Sequence, residues 1–152
     1  MTNEDICEFV SARMKINDNL ETVANEVIDT CLYKGSRDNM SIIIVAFPNG
    51  PKPDPAAILE EEQLNQRLVK RVTELVTQHE NKAELSDVFQ ALAEDNIGGL
   101  PPGGGLCAKK AFVEDLYKKL LPGKHDSGQE EATNPLASLL FANAKKSTED
   151  VN

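Results

Sequence analysis

The sequence predicts an α+β chain, with two helices and one apolar strand over residues 1–47 and a small all-α unit of three helices over residues 55–122. Three observations carry that expectation. Apolar side chains recur at helical spacing on both sides of residue 50. Ser41 to Phe47 is a short β-branched and apolar run. Pro48-Asn49-Gly50-Pro51-Lys52-Pro53 then punctuates the chain, so residues 48–54 are expected to be a linker and a domain boundary.

Thr2 is placed to cap the first helix, with Asp5 three residues on in the capping-box position. Ile6, Phe9, Val10 and Met14 then share one face. Asp18 is expected to open a second helix, with Glu21 completing the same pattern. Leu20, Val23, Ala24, Val27, Ile28, Cys31 and Leu32 form its apolar stripe. Cys7 and Cys31 are expected to serve as small core residues. Gly35 suits the left-handed position after a helix end.

Beyond the polar turn Ser36-Arg37-Asp38-Asn39, the run Ser41–Phe47 is apolar on both faces and reads as a strand covered from both sides. No other segment reads as a strand. A lone strand cannot satisfy its backbone hydrogen bonds, and even a two-stranded hairpin is marginal. The accepting sheet is therefore expected to come from polypeptide outside these 152 residues.

After the linker, Asp54 caps a helix whose first position is Pro55, where a missing N–H does no harm. Glu60, Glu61 and Glu62 lie where the helix dipole favours acids. Leu64, Leu68, Val72, Leu75 and Val76 supply its buried face. Leu85, Val88, Phe89 and Leu92 mark a shorter helix ending near Asn96. Phe112, Val113, Leu116, Tyr117 and Leu120 mark a third, stopped by Pro122-Gly123. Pro101-Pro102-Gly103-Gly104-Gly105 lacks the Lys-Ser/Thr ending of a phosphate-binding loop and reads as a tight turn between helices. Residues 123–152 are polar and expected to be disordered. Within them, Leu136, Leu139, Leu140 and Phe141 give residues 135–146 an amphipathic character suited to docking a protein partner.

The composition, 40% hydrophobic and 27% charged with a net charge of −9, argues against nucleic-acid binding, which needs clustered Lys and Arg. The longest apolar run is far too short to span a bilayer. The amino terminus has no basic region followed by an apolar core, so no secretory signal is expected. Three cysteines without C-x-x-C spacing fit reduced thiols, and a cytoplasmic or nuclear location. His79 and His125 stand isolated and are expected at the surface.

One turn suggests chemistry. Asp38 lies at the mouth of the apolar run, where a carboxylate is well placed for a hard divalent cation. From the residues alone the same position better suits an aspartate that merely bonds its own backbone. Gly35-Ser36-Arg37-Asp38-Asn39-Met40-Ser41 and the apolar run resemble the last catalytic motif of the metal-dependent type 2C protein serine/threonine phosphatases. Asn3 to Val10 and Glu26 to Leu32 resemble the segment preceding that motif. Leu100 to Leu106 and the helix containing Val113 to Leu120 are similar to the helical C-terminal domain of the animal alpha and beta isoforms. Together the likeness spans roughly residues 1–122.

This resemblance implies that residues 1–47 are the end of the α/β-sandwich catalytic domain and residues 55–122 the helical C-terminal domain. It implies that Asp38 is one ligand of a binuclear Mg²⁺ or Mn²⁺ site, whose activated water hydrolyses phosphoserine and phosphothreonine in phosphoprotein substrates. The family's other metal-ligand aspartates and its phosphate-binding arginine have no counterpart here, so these residues are expected to be an inactive C-terminal piece by themselves. The alternative is a non-catalytic helical interaction or regulatory module, with partners bound through the helical unit or residues 135–146.

Overall fold

The computed structural model describes residues 1–78 and 83–122. Residues 1–121 form one compact unit. It holds α1 (Asn3–Met14), α2 (Leu20–Tyr33), α3 (Pro55–Gln78), α4 (Leu85–Glu94), a 3-10 turn (Gly105–Lys109) and α5 (Lys110–Leu120).

The caps explain where these helices begin. Thr2 Oγ1 accepts the Asp5 N–H at 3.1 Å while Asp5 Oδ2 accepts the Thr2 N–H at 2.9 Å, the reciprocal arrangement the sequence predicts. The second helix is capped by Asn19 rather than Asp18. Asn19 Oδ1 accepts the N–H groups of both Glu21 and Thr22, at 3.0 and 3.1 Å. Asp54 behaves as expected, its Oδ1 accepting the Ala56 N–H at 3.1 Å.

Packing follows the apolar faces. Leu64, Leu68, Val72, Leu75 and Val76 of α3 are buried together with Val88 and Leu92 of α4 and Val113, Leu116 and Tyr117 of α5. Tyr117 closes this core by donating its hydroxyl hydrogen bond to the Ala83 carbonyl at 2.6 Å. A second buried group comes from α1 and α2, chiefly Phe9, Met14, Val23 and Val27. α2 packs on the 3-10 turn, and the Asp54 N–H donates to the Lys15 carbonyl at 2.8 Å, so residues 48–54 join elements within one unit.

The turn at Pro101–Gly105 rests directly on α1. A Cβ on Gly103 would sit 2.3 Å from the Asp5 carbonyl oxygen, and one on Gly104 would sit 2.8 Å from the Phe9 ring. Glycine is needed there because the turn closes on the α1 backbone at Gly103 and on the Phe9 ring at Gly104.

Two expectations are corrected. Ser41–Phe47 is not a strand covered on both faces, and no strand occurs among the described residues. Ile43, Val45 and Phe47 are 90%, 70% and 75% exposed, while Ile42 and Ile44 are half-buried. The physical reason is the missing neighbour: without a second strand there is no ladder to fix the backbone. Cys7 is exposed rather than buried, and Cys31 is half-buried. His79, His125 and the amphipathic stretch 135–146 lie outside the described residues.

Candidate metal-ligand turn

The end of α2 determines where Asp38 is carried. Gly35 adopts φ +92°, and its N–H donates to Leu32 O at 2.9 Å while the Ser36 N–H donates to Cys31 O at 3.0 Å. These two bonds form a Schellman cap that turns the chain sharply off the helix. Three residues beyond Gly35, the Asp38 side chain is exposed. Its Oδ1 accepts the Asn39 N–H at 2.9 Å, and no other hydrogen bond or ion pair involves it among the described residues.

That geometry matches the backbone-bonding reading of Asp38. The carboxylate does bond its own backbone, and its second oxygen remains available on an open surface. It fits one ligand position of a hard cation and no more. Among the described residues no group of three or more His, Cys, Asp or Glu side chains converges.

The residues gathered most densely are ones the sequence did not single out as a site. Arg13 on α1 donates to Glu26 on α2, Nε to Oε2 at 2.6 Å, and to Glu61 on α3, Nη1 to Oε1 at 2.7 Å. Lys109 reaches the same Glu61 oxygen and also donates to Asn65 Oδ1 at 2.8 Å. Arg13, Glu61 and Lys109 are all largely buried, with side-chain exposures of 8%, 13% and 6%. Glu61 was read as a residue complementing the helix dipole, whereas it is the hub linking α1, α3 and the 3-10 turn.

The electrostatics follow from that crowding. Burial alone would raise Glu61, but the facing Lys109 and Arg13 outweigh it and hold the carboxyl below its ordinary range. Burial holds Lys109 below its ordinary range, outweighing the facing Glu61, and the neighbouring Arg13 charge adds a smaller push the same way. Arg13 stays fully charged: Glu26 and then Glu61 overcome its desolvation.

The sequence carried a signal for this cluster. Arg13 lies four residues after Phe9, Glu61 three before Leu64, and Lys109 four before Val113, so each charged residue continues a buried apolar face.

The family model for the protein serine/threonine phosphatase 2C, C-terminal domain, matches residues 41–118. The chain belongs to that family. Among curated proteins it is 47% identical to protein phosphatase 1A of Bos taurus over 137 residues, covering 90% of this chain and 36% of that protein. It is 46% identical to protein phosphatase 1A of Homo sapiens over the same shares. Against protein phosphatase 1B of Rattus norvegicus it is 45% identical over 130 residues, or 84% of this chain and 33% of the relative. The chain thus spans about a third of the length of the curated relatives it matches.

Proposed function

We propose that this chain supplies a metal-ligand turn and a sheet strand to a Mg²⁺- or Mn²⁺-dependent protein serine/threonine phosphatase, together with its helical C-terminal domain. On this reading residues 1–47 end the catalytic domain, residues 48–54 link it onward, and residues 55–122 are the helical domain. The substrates are proteins carrying phosphoserine or phosphothreonine, in the cytoplasm or nucleus.

The observation that carries the proposal is the pairing of an open carboxylate with an unsatisfied strand. Asp38 presents an exposed oxygen at the start of a segment whose alternate residues Ile43, Val45 and Phe47 stand in water. Such a segment has the composition of a buried strand and the exposure of an unpaired one. A sheet that accepted it would bury those side chains and fix Asp38 at the sheet's end.

Asp38 would be one ligand, the remaining carboxylates coming from elsewhere in the phosphatase. When bound, the divalent cations supply a water acidic enough to act at neutral pH and stabilise charge on the phosphoryl group. The contribution of this chain is positional: α2 and its Gly35 cap aim the carboxylate, and the apolar segment anchors it.

The test is dephosphorylation of a phosphothreonine peptide with Mn²⁺. The 152-residue chain alone is expected to show no turnover, and the chain joined to the upstream region of a type 2C phosphatase is expected to be active. Loss of that activity in Asp38→Asn should accompany a raised Mn²⁺ requirement. Turnover by the chain alone, or full activity of the substituted protein, would overturn the proposal. An inactive joined protein would favour the helical interaction module instead.

A further inference from the structure

We infer that Lys110, acting through Tyr33, is a positioning residue for Asp38, so that the helical region sets where the metal-ligand turn is held. The inference rests on the reading of Asp38 as a ligand, but the physical tie does not.

Tyr33 is the last residue of α2, immediately before the cap that launches the turn. Two contacts hold it, and one of them is itself braced. Lys110 Nζ, on α5, lies 4.7 Å from the centre of the Tyr33 ring. The same ammonium lies 5.8 Å from the Phe89 ring on α4 and 3.8 Å from Glu114 Oε1. Cys107 Sγ, in the 3-10 turn, is 3.8 Å from the Tyr33 carbonyl oxygen. One cation is thus set against two aromatic faces from different helices, an attraction between positive charge and ring quadrupole.

Among the described residues the hydrogen bonds of the turn beyond Tyr33 are local, those of Gly35 and Ser36 back to α2 and that of Asn39 to Asp38. Arg37, Asp38 and Asn39 are exposed. The direction of the Asp38 carboxylate is therefore inherited from the end of α2, and the grip on that end comes from the 3-10 turn and α5, with Phe89 of α4 bracing Lys110.

Hydrogen exchange on the 152-residue chain tests the tie directly. In Lys110→Met the amides of Gly35 and Ser36 should exchange about three-fold faster, the scale of one partly exposed cation–π contact. Lys110→Arg, which keeps the charge over the rings, should restore them, and the amides of Leu68 and Val72 in the α3 core should not change. Unchanged exchange at Gly35 and Ser36, or an equal rise at Leu68 and Val72, would overturn the inference.

The second readout uses the chain joined to the upstream phosphatase region. Lys110→Met should raise the Mn²⁺ concentration giving half-maximal rate while leaving the rate at saturating Mn²⁺ nearly unchanged, with Lys110→Arg again restoring it. An unaltered Mn²⁺ requirement would overturn the link to Asp38. If the unsubstituted joined protein fails to turn over, the phosphatase reading fails separately, and the exchange result alone decides the tie.

Discussion

At the scale of single residues, Glu61 and Gly103 hold positions that no other side chain fills. Among the described residues Glu61 is the one carboxylate ion-paired with both Arg13 and Lys109. Removing it leaves two buried cations with Glu26 and Asn65 as their remaining partners. Glu61→Ala should therefore cost about 3 kcal/mol in urea unfolding, the usual penalty for breaking a buried pair from one side. Because its folded-state carboxyl sits below the ordinary value of 4.5, its contribution is complete above that pH and is lost as pH falls through the lower folded value. The stability gap between the native chain and Glu61→Ala should be flat at neutral pH and close only on strong acidification. A gap that closed between pH 8 and 6 would contradict this. Gly103 is constrained differently, by φ +67° and by the Asp5 backbone that a Cβ would strike. Gly105 has φ +58° but open space around it. Gly105→Ala should thus cost about 1 kcal/mol of left-handed strain, whereas Gly103→Ala should cost upwards of about 2 kcal/mol because the loop must also lift off α1. Equal melting shifts for the two variants would show that the close approach is not what selects glycine.

At the scale of elements, helical periodicity made most of the fold legible. The five apolar residues expected on the α3 face are all buried, and Val88, Leu92, Val113, Leu116 and Tyr117 join them. The pattern works because a helix hidden on one side must repeat its apolar residues with the helical period. Capping was legible to within a residue. Asp18 and Asn19 are both good caps, and only the extended backbone at Asn19, with ψ 101°, decides between them. Asn19→Ala should accordingly destabilise the chain by about 1 kcal/mol, while Asp18→Ala should be close to neutral. The reverse order in thermal melts would move the start of α2. What could not be read was the role of charged residues on buried faces. Arg13 and Lys109 look like ordinary surface cations in a one-dimensional sequence, and their partner Glu61 is 48 residues away from each. Period alone says which face a charge occupies, not which distant charge will meet it. The capped turn that carries Asp38 was legible for the opposite reason: its cap, turn and apolar run are contiguous.

At the scale of the whole molecule, two kinds of segment coexist in one compact unit. Among the described residues the helices bury most of their apolar faces, and Thr2, Asn19 and Asp54 cap the starts of α1, α2 and α3. The segment Ser41–Phe47 is left unpaired, because sheet pairing needs a neighbour that the described residues do not supply. An exposed, β-branched segment carrying no charge is a template for pairing with another copy of itself. The 152-residue chain should therefore self-associate as concentration rises, and light scattering should detect this while the helices remain folded. Val45→Lys tests whether this segment is the cause. Val45 is 70% exposed, so lysine there removes no core packing and should leave the melting temperature nearly unchanged. It should nonetheless suppress association, since a lysine in each copy repels its counterpart across the shared edge. In the chain joined to an upstream phosphatase region the same substitution should do the reverse, lowering stability and activity by placing a charge where the sheet expects an apolar side chain. Association that persists undiminished in Val45→Lys would locate the sticky surface elsewhere. An unaffected joined protein would mean that Val45 never enters a sheet, and the segment would lose its part in anchoring Asp38.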